Sequence, residues 1–135
     1  RKLGLEGKVK TPGFLGEIEK ADFIRRSRFA VIPPNTGEDF GLVALEARHL
    51  GVPCLITRDG GVPEAAGQFS MSCSPGNVEE LTHLLQYAAG LSETDYSQLA
   101  FDCRSSLEGE LARPEFYGET YLQIIRMNRS PSFTS

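Results

Sequence analysis

The chain has 135 residues, 40% hydrophobic and 24% charged, which suits one globular domain with a single core and no extended disorder. Its 18 acids against 14 bases leave a net charge of −4, so a nucleic-acid partner, which needs a clustered basic surface, is not expected. No apolar run approaches the roughly 20 residues of a membrane span, and no signal-peptide pattern opens the chain, so a cytoplasmic location with no transmembrane segment is expected.

In chain order, short apolar runs alternate with helical patterns, the signature of repeated βα units and a mostly parallel sheet. Strands are predicted over residues 9–11, 29–32, 53–57 and 70–73. The clearest is "FAVI", stopped by Pro33 and Pro34, neither of which can donate to a central ladder. Helices are predicted over residues 17–26, from the Ile18, Ala21 and Ile24 spacing, and over 41–50, ended by Gly51. A short helix follows near 63–67.

Asn77 with Glu80 resembles a capping box opening a helix striped by Val78, Leu81, Leu84, Leu85 and Ala88. Ser92 with Asp95 repeats the device ahead of Tyr96, Leu99, Cys103 and Leu107. A last helix over 114–127 carries more apolar surface than one face needs, and residues 128–135 read as a flexible Ser-rich tail. The expected architecture is an α/β, Rossmann-like parallel sheet with helices on both faces, in which ligands bind beyond the carboxyl ends of the strands.

Cys54, Cys73 and Cys103 are odd in number and none lies in a CxxC pair, so they read as buried reduced thiols rather than zinc ligands or a disulfide framework. His49 and His83 have no partner pattern for metal or catalysis and read as surface residues. Arg25, Arg26 and Arg28 read as a solvated helix end favoured by the dipole. Met71 and the scattered aromatics read as core.

Two loops at the strand ends stand out: "PPNTGEDFG" and "RDGGVPE". The first runs into a helix whose opening N–H groups, at Phe40, Gly41 and Leu42, are left unpaired, so an anion such as a phosphate would meet those donors and the helix dipole. Gly41 would let a ligand come close to the backbone. Equally, Asp39 caps the helix and Glu38 complements its dipole. Neither loop matches GxGxxG or the P-loop. Glu38 and Glu46, seven residues apart, put one carboxylate at the loop tip and another inside the helix, an arrangement suited to a hydroxyl-rich ligand.

"EDFGLVALE" followed by "GVPCLITRDGGVPE" resembles the donor-binding signature of the retaining GT-B glycosyltransferases of family 4, group 1 glycosyltransferases, whose pattern is E-x-F-G-L-x-x-x-E. "LGLEGKVKTPGFLGEIEKADFIRRSRFAVIPP" is similar to the strand, helix and strand before it, and the order of elements agrees from residue 3 to about 121. The resemblance implies that Glu38, the candidate catalytic residue, faces the donor sugar. It implies that the amides of Phe40, Gly41, Leu42 and Val43 meet sugar and diphosphate, that Glu46 binds the ribose, and that the nucleobase lies near Gly13 and Phe14. It further implies a UDP-, GDP- or ADP-linked sugar as donor, with no cofactor and no essential metal.

Residues 1–127 would then be part of the C-terminal half of a GT-B fold. The upstream Arg and Lys that hold the diphosphate, and the N-terminal acceptor domain, are expected outside this sequence. Asp39 stands where Gly is commonest, and Arg48 and His49 replace small or apolar residues, outside the implied contacts. Two other readings stay open: a non-catalytic glycosyltransferase-like binding or regulatory module, and a flavodoxin-like interaction domain.

Overall fold

Parallel pairing of three short strands organises the molecule. The computed structural model describes residues 4–35, 37 and 40–111. In it β1 (Ala30–Ile32), β2 (Cys54–Thr57) and β3 (Met71–Cys73) form a sheet in the order β1-β2-β3. Ala30 pairs with Cys54, and Leu55 with Met71. All four residues of β2 are buried, as a central strand covered on both faces requires.

Alternation along β2 sorts the helices to the two faces. Cys54 and Ile56 turn towards α2 (Leu42–His49) and α3 (Val62–Ala66), joining Ala44, Ala47, Val62, Ala65 and Ala66 in the core. The small side chains let both helices come close to the sheet. Thr57 turns the other way and, with Cys73 of β3 and Leu81 of α4 (Val78–Gly90), lines a cleft on the opposite face. The α/β, Rossmann-like sheet with helices on both faces is therefore what forms.

Three of the four expected strands begin within one residue of expectation and end where expected. Residues 9–11 do not form a strand. Gly7 and Gly13 on either side adopt left-handed torsions, φ 76° each, Pro12 removes a donor, and Val9 is 63% exposed. An extended tripeptide with no ladder partner gains too little to hold a strand.

The helix boundaries follow their local signals. Helix α1 (Glu17–Arg25) docks by Ile24, while Ile18 of the same expected stripe stays 82% exposed. Helix α2 stops in a Schellman turn: Val52 N–H donates to Ala47 O and Gly51 N–H to Arg48 O, with Gly51 at φ 73°. Asn77 Oδ1 accepts from Glu80 N–H, capping α4, but Glu80 sends its carboxylate to Ser74 N–H at 2.7 Å. Of the α4 stripe Ala88 is buried, whereas Val78 and Leu85 stay exposed. Ser92 Oγ accepts from Asp95 N–H at the start of α5 (Glu93–Leu111), whose Cys103 and Leu107 are buried as expected. The expected helix 114–127 and tail 128–135 lie outside the described residues.

Two expectations need correction. Arg28 is not an idle solvated cation: it pairs with Glu93 at 2.9 Å, donates to Leu91 O, and sits 4.5 Å over the Tyr96 ring, tying the entry of β1 to the start of α5. Nor are the aromatics mostly core, since Phe14, Phe23, Phe40, Tyr87 and Phe101 are exposed and Met71 is half-buried. Single exposed apolar residues are tolerated because folding cannot cover them all.

The three cysteines are free and buried. Burial pushes the Cys54 thiol from 9.0 up to about 12, and its Sγ lies 3.7 Å from Ala44 O. Between pH 9 and 12 the thiol stays neutral in the folded chain but ionises in the unfolded one, so this contribution is complete below pH 9 and is lost as pH rises from 9 towards 12. We expect unfolding free energy to fall over that window by up to about 1.4 kcal/mol per pH unit more than in a Cys54→Ala variant. Urea titrations at stepped pH measure the difference, and parallel slopes for the two proteins would refute it.

Candidate functional site

The loop after β1 and the loop after β2 meet at the carboxyl end of the sheet. Thr57 Oγ1 donates to Pro34 O, and Gly37 N–H donates to Asp59 Oδ2 at 2.9 Å, so the loops brace one another. Asp59 is not among the site residues expected from sequence. Its only local signal was its place in a glycine-rich strand-to-helix turn.

From the first loop the chain enters α2 through Gly41, whose φ of 80° and ψ of 54° are left-handed. A Cβ there would lie 3.0 Å from Val62 Cγ2 and 3.3 Å from Val62 Cα. The close approach that requires glycine is thus to the start of α3. After this turn Leu42 and Val43 are the first helical residues, and their N–H groups have no intrahelical acceptor. Phe40, Leu42 and Val43 are 42%, 65% and 53% exposed, so the N-terminal turn of α2 is open and apolar in its side chains. Glu38 and Asp39 lie outside the described residues.

Glu46 lies one turn further along α2, on the side that faces α1. Lys20 Nζ donates to its Oε1 at 2.7 Å, while Oε2 is covered and has no hydrogen-bond partner among the described residues. The hydrogen bond to Glu46 raises the Lys20 pKa above its ordinary value against the opposing effect of desolvation, so the ammonium stays charged. The pair borders a cleft of about 190 Å³ between α1 and α2, walled by Ala21, Ile24 and Leu50 with His49 at its side. Lys20 was missed from sequence because it is 26 residues from its partner and carries no motif.

The remaining expected site residues fall elsewhere on the chain. Gly13 and Phe14 lie in the segment just before α1, Gly13 at φ 76° and Phe14 97% exposed. His49 and His83 are both exposed, as expected for surface residues. Among the described residues no group of His, Cys, Asp and Glu is arranged to hold a metal ion, and no helix is long and apolar enough to cross a membrane.

Arg48, by contrast, is buried, 1% exposed, although it sits in the same helix end as His49. Its Nε and one terminal nitrogen donate to Ser106 Oγ on α5 at 3.2 and 2.9 Å. This anchors α2 from behind and leaves its Glu46 side facing α1.

A sequence profile of the family described as glycosyl transferases group 1 matches residues 1–95. The glycogen synthase of Mycobacterium tuberculosis is 41% identical over 71 residues, covering 51% of this chain and 17% of that protein. The MMP alpha-(1->4)-mannosyltransferase of Mycolicibacterium hassiacum is 34% identical over 86 residues, 62% of this chain and 21% of that protein. D-inositol 3-phosphate glycosyltransferase 2 of Catenulispora acidiphila is 37% identical over 65 residues, 48% of this chain and 15% of that protein. The chain therefore spans about a sixth to a fifth of the length of these relatives.

Proposed function

Because the chain belongs to the group 1 glycosyl transferases, we propose that it binds the nucleotide-sugar donor of a retaining GT-B enzyme of family 4. In this reading residues 1–127 form part of the C-terminal, donor-binding domain of a longer enzyme, and a further domain receives the acceptor. The short span matched in each relative supports that view. The donor is a UDP-, GDP- or ADP-linked sugar.

The observation that carries the reading is the state of Glu46, a carboxylate held by Lys20 through one oxygen while the other has no donor among the described residues. A covered, unpartnered carboxylate oxygen is costly, and ribose hydroxyls would supply the donors it lacks. One turn earlier, the N–H groups of Phe40, Gly41, Leu42 and Val43, with the helix dipole, suit a diphosphate and the adjoining sugar. Glu38 would accept from the sugar hydroxyls, and the base would lie towards Gly13 and Phe14.

The chemistry this assigns is electrostatic. As the bond between the anomeric carbon and the diphosphate oxygen breaks, negative charge grows on the leaving group, and oriented N–H donors stabilise that charge more than the ground state. The acceptor hydroxyl oxygen forms its new bond from the face the diphosphate leaves, which preserves the anomeric configuration, and gives its proton to the departing diphosphate oxygen. Holding donor and acceptor together supplies much of the rate.

Ligand-detected NMR titration of the intact protein with UDP, GDP and ADP in parallel tests the reading. One nucleotide is expected to bind, and Glu46→Ala to weaken it about tenfold or more, the worth of one charge-assisted hydrogen bond or two. If none of the three binds, or if the substitution leaves affinity unchanged, the ribose role of Glu46 is wrong. Absence of binding would favour a non-catalytic module.

A further inference from the structure

We propose that Lys20 is a positioning residue for Glu46: it fixes the carboxylate by Oε1 so that Oε2 accepts the ribose hydroxyls, and it thereby sets how strongly the site distinguishes a ribonucleotide from one lacking those hydroxyls. The inference rests on the Glu46 reading above and deepens it.

An ordinary surface ion pair contributes little and constrains little, because both long side chains remain free in water. The Lys20–Glu46 pair differs in three respects. It joins two helices, its partners being 26 residues apart. Although the two side chains are 42% and 38% exposed, it engages one carboxylate oxygen at 2.7 Å while the other is covered and unpartnered among the described residues. And it borders a cleft lined by Glu17 and His49 as well as by Ala21, Ile24 and Leu50, of which the last three cannot donate to a carboxylate through their side chains.

These features make the two oxygens unequal. With the ammonium on Oε1, that oxygen is engaged, and a hydroxyl that enters the cleft has Oε2 as its acceptor once it displaces the covering atoms. Without the ammonium, the cheapest arrangement for Glu46 is to turn its charge out to water, away from the cleft. The side chain would still be present, but the acceptor would no longer be where the ribose needs it. Lys20 touches no reacting atom in this scheme and acts only through Glu46.

The test compares whichever of UDP, GDP and ADP binds with its 2′,3′-dideoxy counterpart, by isothermal titration of the intact protein in its native form and as Lys20→Met and Lys20→Arg. The native protein is expected to favour the ribonucleotide about tenfold or more, from the hydroxyl hydrogen bonds. In Lys20→Met the preference is expected to fall below about threefold while affinity for the dideoxy nucleotide is unchanged, since the diphosphate contacts at α2 remain. Lys20→Arg, which keeps a donor cation, is expected to restore most of the preference.

A Lys20→Met protein that keeps the full preference overturns the proposal. So does one that weakens for both nucleotides equally, because that is the mark of a merely structural role. A native protein that shows no preference, or binds none of the three, refutes the Glu46 reading itself and this inference with it. The two failures are therefore told apart by the native protein alone.

Discussion

Arg48→Ala is expected to cost about 3 to 5 kcal/mol, the largest loss of any single substitution considered, because it removes the bulkiest fully buried side chain of the described residues. Against the roughly 5 to 15 kcal/mol that holds a typical domain together, that is enough to leave the variant marginal. The guanidinium does more than fill space. It donates twice to Ser106 Oγ, which itself donates to Cys103 O at 2.8 Å, so one side chain ties α2 to α5. It also packs against Gly67, where a Cβ would come within 2.6 Å of both Cζ and Nε. Gly67, at φ 75°, is thus the residue that leaves room for the guanidinium plane. Lysine is not expected to rescue, since a single ammonium cannot reproduce the planar fork. Urea unfolding of the two variants measures this, and a loss under about 1 kcal/mol for Arg48→Ala would show that the bridge is dispensable.

Gly41→Ala is expected to cost about 2 to 4 kcal/mol and to weaken nucleotide binding as well, which Arg48→Ala should do only through unfolding. Two penalties combine. An alanine in the left-handed region costs about 1 to 2 kcal/mol, and Gly41 sits at φ 80°. The new methyl would also press on Val62, at 3.0 Å from Cγ2 and 3.3 Å from Cα, and the second of these is backbone at the fully buried start of α3. Relief requires α2 and α3 to part, at about 1 to 3 kcal/mol for an overpacked site. Because the first N–H groups of α2 follow directly from this turn, their aim changes with it. Urea unfolding and the nucleotide titration, run on the same sample below its melting range, separate the two effects. Unchanged stability would mean the turn can relax, and unchanged affinity in a destabilised protein would mean the α2 N-terminus does not meet the ligand.

Much of the framework was legible residue by residue. The apolar runs ending at Ile32, Thr57 and Cys73 became strands with those ends. Gly51 stopped α2, and Asn77 and Ser92 capped their helices. Each of these signals acts through torsions, a side-chain period or a hydrogen bond spanning a few residues, so a neighbour in sequence suffices to read it. The Glu38–Glu46 spacing and the motif around it were visible for the same reason.

The tertiary structure decided the rest. Residues 9–11 look extended in sequence, but a strand exists only where a ladder partner arrives, and none does among the described residues. Arg48 stands in sequence only as a replacement of a small or apolar residue, and it is buried because α5, 58 residues away, folds over it. Lys20 has no motif at all, and becomes part of the candidate site only because α1 is laid beside α2. Sequence determined where elements begin, end and turn, because those are local energies. Which charges are buried, which oxygen of Glu46 is held and which glycine is crowded were settled by contacts between distant segments, which only the packing of the sheet and its helices brings together.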